Sequence, residues 1–409
     1  MCAVMAHKSI LMLGGSRQQV VAIQRAKALG YRTVLCDYLP DNPGQHEADA
    51  FYQVSTTDPE AVLQIAEREL VGGVLAYSSD PASPTAGYVA EHMGLPTNPL
   101  KAITTMSEKH LFRAFLRKAG LPCPGAVALA HPYERDAVFA AIEGLAYPIV
   151  VKPTDSSGSK GVTVARSASD VMSAVERAVS FSRNGILIAE EYIERSYPHV
   201  IGGDIFAVDG DIRFWGLMDC LRDDQLGGLV PVGKCLPPAL DDEVAHRVKH
   251  VLQRLVSALG VTFGEFNAEV IIGPGGTPYV LELGGRAGGN MIPVQLSDAS
   301  GIDLIAANVQ CAMGVDPGEL EWDSCAATQP MATYVLHSAR DGVFAGVEKS
   351  DRVRTCVYRE VLYQNPGDPV ECFDGANKAL GIEFLKFADV NEMDEVLADI
   401  SRHIQPIVY

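Results

Sequence analysis

Glu269 and Glu282 are the residues of this chain whose spacing most directly suggests chemistry. They flank Pro274-Gly275-Gly276-Thr277, a turn signal between two apolar, β-rich stretches, FGEFNAEVII and YVLEL. A hairpin centred on Gly275 and Gly276 sets the two carboxylates opposite each other on one face of an antiparallel pair. Like charges held that close are unfavourable unless a cation lies between them. Two hard oxygen ligands suit Mg²⁺, or Mn²⁺ in its place, with substrate phosphates and water filling the rest of the shell. The bland alternative is two exposed glutamates on a solvated face. The apolar flanks argue against it.

Three further segments carry reactive side chains. In VVKPTDSSGSKGVTV a strand delivers Lys152, and a small-residue loop over residues 155–161 follows. Ser156, Ser157, Gly158, Ser159, Lys160 and Gly161 let backbone N–H groups approach phosphate oxygens. The alternative is a surface hairpin. The G-x-x-x-x-G-K-[ST] spacing is absent here, so this is not a Walker A loop. Residues 228–235 come nearer to it but end in Cys235, and Pro231 removes a donor. Lys234 of that segment remains as a lone cation among apolar residues. It is a catalytic candidate, or a lysine snorkelling from a strand end. In ILIAEEYI, Glu190, Glu191 and Ile193 close an apolar strand whose backbone could meet an adenine edge. Arg286 lies four residues past Glu282 in a glycine-rich bend, where a guanidinium fork suits a carboxylate or phosphate.

The elements that position these groups are legible from periodicity. Apolar runs at 9–13, at 31–37 and at 71–80 alternate with helical patterns over 18–30 and 59–69, which implies a doubly wound parallel sheet over residues 1–98. Its glycine turn, Gly14-Gly15-Ser16, lacks G-x-G-x-x-G, so a dinucleotide site is not expected there. Asp37 reads as a cap. Ser78-Ser79-Asp80 ends the third strand, where open sheets bind ligands, so this tripeptide is a candidate substrate contact. A helix is expected over 107–119, and β-rich segments surround the Lys152 loop. Residues 200–240 read as antiparallel strands with a hairpin at Asp209-Gly210. An amphipathic helix follows over 241–259, where His246 and His250 fall on a charged, solvated face. Another helix is expected near 303–313, and a small α/β appendage over 318–409.

Composition bounds the partners. Hydrophobic residues are 47% and charged residues 21% of 409, ordinary values for packed cores. The net charge of −18 disfavours nucleic acid or an anionic membrane surface as main partner. Nine cysteines without a C-x-x-C read as reduced thiols of a cytoplasmic protein. The start, MCAVMAHKSILMLGG, runs straight into a strand without a secretory h-region.

In this order, the motifs resemble those of the ATP-grasp carboxylate ligases. The likeness runs from the N-terminus to about residue 315 and includes SEKHLFRAFLRKAGLPCP, VVKP with its loop, EEYIE, the paired glutamates and the arginine. It implies a linker helix over 99–120 and an ATP-grasp fold of two subdomains, 121–190 with the glycine-rich lid and 191–317 with the metal site. It implies that Lys109 and Lys152 contact phosphates while residues 156–161 close over them. Glu190, Glu191 and Ile193 would surround adenine, Glu269 and Glu282 would hold Mg²⁺, and Arg286 would face an acyl phosphate. Two departures stand out. Gly284 occupies a position where many members have an asparagine ligand, and the acidic ribose contact is not obvious, leaving Glu194 or His199 for it.

The implied reaction activates a small-molecule carboxylate with ATP as an acyl phosphate and passes it to an amine. A thiol acceptor on a carrier protein, or a nucleotide-binding protein without catalysis, are the alternatives. A homodimer is left open.

Overall fold

The computed structural model describes residues 8–156, 158–222, 230–317 and 329–409. Four parallel strands open the chain, ordered Ala50–Gln53, Arg32–Asp37, Ser9–Leu13, Gly73–Leu75. Helices Arg17–Ala28, Pro59–Arg68 and Ser83–Met93 connect or follow them. Ser9–Leu13 is buried along its whole length, which is why its sequence is a continuous apolar run rather than an alternation. Asp58 caps the second helix through Ala61 N–H, with proline at the first turn. The strand Ala50–Gln53 adds an edge that periodicity does not reveal. The third expected strand stops at Leu75, which leaves Ser78–Asp80 as a loop in the crevice beyond the strand ends.

The helix expected over 107–119 is Lys109–Lys118, and the linker helix implied over 99–120 is two helices, that one and Leu100–Ser107 before it. Glu108 between them is extended, with φ −112° and ψ 109°. The break puts Lys109 on the first turn of the second helix, its N–H donating to the Thr154 carbonyl at 3.1 Å.

Next come a four-stranded antiparallel sheet and an eight-stranded one. The first has the order Ala126–Ala130, Ile186–Glu191, Ile149–Pro153, Thr163–Ala165. The second runs Thr277–Gly284, Gly264–Gly273, Val200–Val208, Asp211–Arg222, Pro231–Leu236, Met331–Leu336, Gly381–Lys386, Val357–Leu362. The last three strands come from the C-terminal α/β segment, which is thus joined to the central sheet. A separate three-stranded sheet, Pro369–Val370, Gly342–Lys349 and Ile404–Val408, completes that segment. Asp209 and Gly210 both have positive φ, 54° and 85°, the pattern of a type I′ turn.

Helix Asp242–Leu259 covers one face of the eight-stranded sheet. Asp241 accepts from Val244 N–H at its start, and Gly260 ends it with φ 69°. Val248, Leu252, Leu255 and Val256 are wholly buried beneath it, each worth about 1.5–3 kcal/mol of gross burial. Helices Ile292–Ser300 and Leu304–Ala312 cover the opposite face around Phe206, Phe214 and Met218.

The hairpin carrying the paired glutamates departs from a simple two-residue turn. Gly273 pairs with Thr277, so three residues form the loop, and a bulge between Glu269 and Val270 shifts the register. Below the bulge, Glu269 faces Glu282 and Asn267 faces Gly284. The expected carboxylate pairing is present, but a bulge rather than the turn alone sets it.

The central strand Val200–Val208 carries a glycine that only a missing side chain permits. Gly203 has φ 118°, and a Cβ there would lie 1.9 Å from the Gly216 carbonyl oxygen. Gly203→Ala is expected to lower the unfolding free energy by at least about 2 kcal/mol, read from urea denaturation. An unchanged midpoint would refute this account of the strand contact.

Candidate active site

A cleft of about 210 Å³ runs between the two antiparallel sheets. Lys109, Lys152, Ser156, Gly158, Ser159, Lys160, Glu190, Glu191, Ile193, Glu269 and Glu282 line it. Val150, Val164, Ile271 and Leu281 add apolar walls, and Tyr192, Arg195 and Arg222 complete the rim. Strand alternation explains much of this. Val150 and Lys152 share a face of one strand, as do Ile271 and Glu269 of another.

Lys152 and Glu190 form a buried ion pair, and Arg113 Nε adds a second contact to Glu190 Oε2 at 2.8 Å. Burial alone would raise the Glu190 carboxyl, but Arg113 and Lys152 outweigh it and hold it at about 2. Burial also draws the Lys152 ammonium below the usual lysine range, with Glu190 opposing. Arg113 also donates from Nη1 to the Leu281 carbonyl at 2.9 Å. One guanidinium therefore ties helix Lys109–Lys118 to a strand of each sheet. The sequence signal for it is an arginine in the apolar stripe of Phe112 and Leu116, where a charge has to find a partner.

Lys109 Nζ reaches Glu282 Oε1 at 2.7 Å and the Ser156 carbonyl at 2.6 Å. Burial would raise the Glu282 carboxyl, but Lys109 brings it below the ordinary range. Asn267 stands beside this pair. Its Nδ2 donates to Asp204 Oδ1 at 2.7 Å and to the Gly203 carbonyl at 3.1 Å. Its carbonyl oxygen therefore has to point away from both. Among the described residues, no three His, Cys, Asp or Glu side chains converge as a metal cluster. The oxygen donors present, two opposed carboxylates and one amide, fit a cation that fills its shell with phosphate and water.

A second cleft of about 150 Å³ adjoins the first and shares Lys109, Ser156 and Glu282 with it. Asp80, Ser83, Asn267, Gly284 and Arg286 line its far side. Arg286 Nη2 lies 2.6 Å from Asp80 Oδ2, and Nη1 donates to the Ala287 carbonyl at 2.9 Å. Two serines tie the Asp80 loop to the bend carrying Arg286. Ser78 Oγ donates to the Gly288 carbonyl at 2.7 Å, and Ser83 Oγ to that of Gly285 at 3.1 Å.

Several expected site residues lie elsewhere. Lys234 lines neither cleft. Its ammonium sits 3.0 Å from the Cys220 thiol, above Gly202, because the missing side chain there leaves a hole in the sheet face, and Gly202 in turn faces Glu269 across the strand pair. Glu191 does line the larger cleft, but its carboxylate turns away to Gly125 N–H and Ala146 N–H, at 3.1 Å each, since it alternates with Glu190 on the strand. Gly161 packs against Phe181, and His199 stands edge-on to Tyr197, so neither lines a cleft. Glu194 is outside both as well, and its neighbour Arg195 takes the rim position. Ser157 lies outside the described residues. Asp37 caps the glycine turn as expected, accepting from Gly15 N–H at 2.7 Å and Leu39 N–H at 2.9 Å. No helix among the described residues is long and apolar enough to cross a membrane.

Comparison with known proteins agrees with this geometry. An uncharacterized protein of Sinorhizobium fredii is 28% identical over 298 residues, 70% of this chain and 58% of its own length. A formate-dependent phosphoribosylglycinamide formyltransferase of Burkholderia thailandensis is 25% identical over 415 residues, 97% of this chain and 95% of its own. The crystal structure of an L-amino acid ligase from Bacillus licheniformis superposes with a TM-score of 0.83 over 98% of this chain and 99% of that one. At 19% identity, it shows a shared fold. The family model for the carbamoyl-phosphate synthase L chain, ATP binding domain, matches residues 108–319, which include every side chain of the larger cleft. With more than half of its length matched, the chain belongs to that family, the ATP-grasp enzymes.

Proposed function

We propose that ATP occupies the larger cleft with its phosphates toward Lys109, Lys152, Ser156, Gly158, Ser159 and Lys160, and that a small-molecule carboxylate enters by the smaller cleft. The observation that carries this reading is the placement of Glu269 and Glu282. They face each other across the strand pair, Glu269 in the larger cleft and Glu282 where the two clefts meet, with Lys109 and Ser156 common to both. The apolar walls of Val150, Val164, Ile271 and Leu281 suit the faces of an adenine ring.

Glu269, Glu282 and the amide oxygen of Asn267 are the residues that would hold Mg²⁺, which when bound neutralises charge on the phosphates. Asn267 lies directly across the strand pair from Gly284, so it offers from the neighbouring strand the amide that position 284 lacks. A carboxylate oxygen of the substrate attacks the γ-phosphorus, and the bond to the ADP oxygen breaks. Lys109 and Lys152 stabilise the equatorial oxygens, and Arg286 holds the carboxylate in line. The amine then attacks the acyl carbon, loses a proton and expels phosphate. Excluding water from the junction protects the acyl phosphate. The seven described cysteines are all free thiols, in keeping with a cytoplasmic setting.

The reading is tested by pairing carboxylates with amines and following phosphate release and product mass. Glu282→Ala should lower turnover by more than about 100-fold with an unchanged circular dichroism spectrum. Near-wild-type turnover at saturating Mg²⁺ would remove the metal assignment. Asn267→Ala should weaken Mn²⁺ binding by about 10- to 100-fold, followed by electron paramagnetic resonance. Equal affinity in both proteins would show that Asn267 serves only Asp204. Arg113→Ala should destabilise the fold by about 3–5 kcal/mol, because Glu190 then stays buried with one cation in place of two. A loss below about 1 kcal/mol in chemical denaturation would contradict the ion network.

A further inference from the structure

The smaller cleft contains a carboxylate, Asp80, that the ligase reading does not use. Asp80 reaches it from the loop beyond the parallel sheet, and Arg286 from the bend after the last metal-side strand. Their side chains pair through Asp80 Oδ2 and Arg286 Nη2. Asp80 Oδ1 is turned to Gly284. A side-chain carbon built on Gly284 would lie 3.1 Å from Asp80 Oδ1, 3.4 Å from Arg286 Cζ and 3.5 Å from Arg286 Nε. A side chain at 284 would crowd this pair, and its absence leaves the carboxylate and the guanidinium together on the wall of the cleft of about 150 Å³, a small hollow lined by both. Arg286 Nε, buried behind the same wall, makes no hydrogen bond among the described residues.

The charges around this hollow are matched. Lys109 faces Glu282 at 2.7 Å, Arg183 faces Asp155 at 3.8 Å and Arg286 faces Asp80 at 2.6 Å. A lining of that kind has no surplus of positive charge for a phosphate ester. The glycine turn of the parallel sheet offers none either. Gly15 N–H is held by Asp37, Ser16 N–H by the Gln19 amide oxygen at 2.9 Å, and Asn42 fills the space beside Gly15. A ligand that satisfies Arg286 and Asp80 from one small hollow carries a carboxylate and an ammonium on neighbouring atoms.

We infer that the carboxylate activated here is that of an α-amino acid, with its carboxylate on Arg286 and its ammonium on Asp80. The inference rests on the reading of the smaller cleft as the carboxylate's site. Asp80 is then the specificity-determining residue. It receives a group that the chemistry itself does not need, and an acid lacking that group leaves Asp80 without its cation. The amino acid's carboxylate oxygen takes the γ-phosphoryl group and ADP leaves. An amine then forms the new carbon–nitrogen bond, loses a proton and displaces phosphate.

Hydroxylamine serves as the test amine, since it converts any acyl phosphate to a hydroxamate with release of phosphate. The full chain is supplied with ATP and Mg²⁺ and offered matched acids: L-alanine against propionate, L-leucine against 4-methylpentanoate, L-phenylalanine against 3-phenylpropionate. At least one amino acid should be used with kcat/KM on the order of 10- to 100-fold above its des-amino partner. Asp80→Asn should bring that ratio below about 3-fold, chiefly by raising KM for the amino acid, with ATP affinity unchanged. Asp80→Glu, which keeps the carboxylate, should restore much of the preference. A wild-type ratio near one, or a ratio that survives in Asp80→Asn, overturns the assignment of Asp80 while leaving a carboxylate ligase in place. Failure of every acid to yield hydroxamate or phosphate overturns the ligase reading, and this inference with it.

Discussion

Two negative charges held face to face are the constraint on which the rest of the structure depends. Glu269 and Glu282 oppose each other across an antiparallel pair, and a one-residue slip would turn one of them to the other side of the sheet. The three-residue loop alone would set a different pairing at this depth. The bulge between Glu269 and Val270 restores the opposition. Lys109 offsets part of the repulsion through Glu282, and it can do so because the helix breaks at Glu108 and restarts with Lys109 on its first turn. The electrostatic demand at the hairpin and the geometry of a helix far away in sequence are parts of one solution.

The second charge system lies deeper. Arg113, Lys152 and Glu190 are almost wholly buried, and taking three charges out of water costs more than most single contacts return. What the arrangement gives is position. Glu190 sits between two cations that come from a helix and from a strand of its own sheet, and Arg113 continues to the Leu281 carbonyl in the other sheet. The Lys152 ammonium is thereby fixed at the cleft wall. A lysine free to follow solvent would stabilise a transferring phosphoryl group less well, because its reorganisation would accompany the reaction.

Much of this was legible in the chain because the relevant signals are local. The Asp209-Gly210 turn, the Asp241 cap with Gly260 at the other end, and the apolar run at Ser9–Leu13 each state their conformation within a few residues. The opposed glutamates could be paired from a turn and two flanks, although the bulge that sets their register leaves no mark in the sequence. What stayed hidden depends on distant partners. Ala50–Gln53 is a strand because Arg32–Asp37 offers it an edge. Helix Ile292–Ser300, with proline near its start, is held by the sheet face it covers. Lys234 reads in the sequence as a lone cation, and the hole above Gly202 and the Cys220 thiol that receive it lie on other strands. The role of Arg113 was half visible as a charge in an apolar stripe, but its partners come from both sheets.

Asn267 and Gly284 illustrate how a chemical unit can be divided between strands. They are seventeen positions apart in the chain and directly opposite in the sheet. An amide at either position would reach the same point in space, whereas amides at both would crowd the hollow where Asp80 and Arg286 meet. The two positions therefore behave as a single locus with two addresses. A pattern written along the Gly284 strand alone misses Asn267, whose amide faces that position from the neighbouring strand. For this fold, sites are better compared by cross-strand neighbours than by linear motifs.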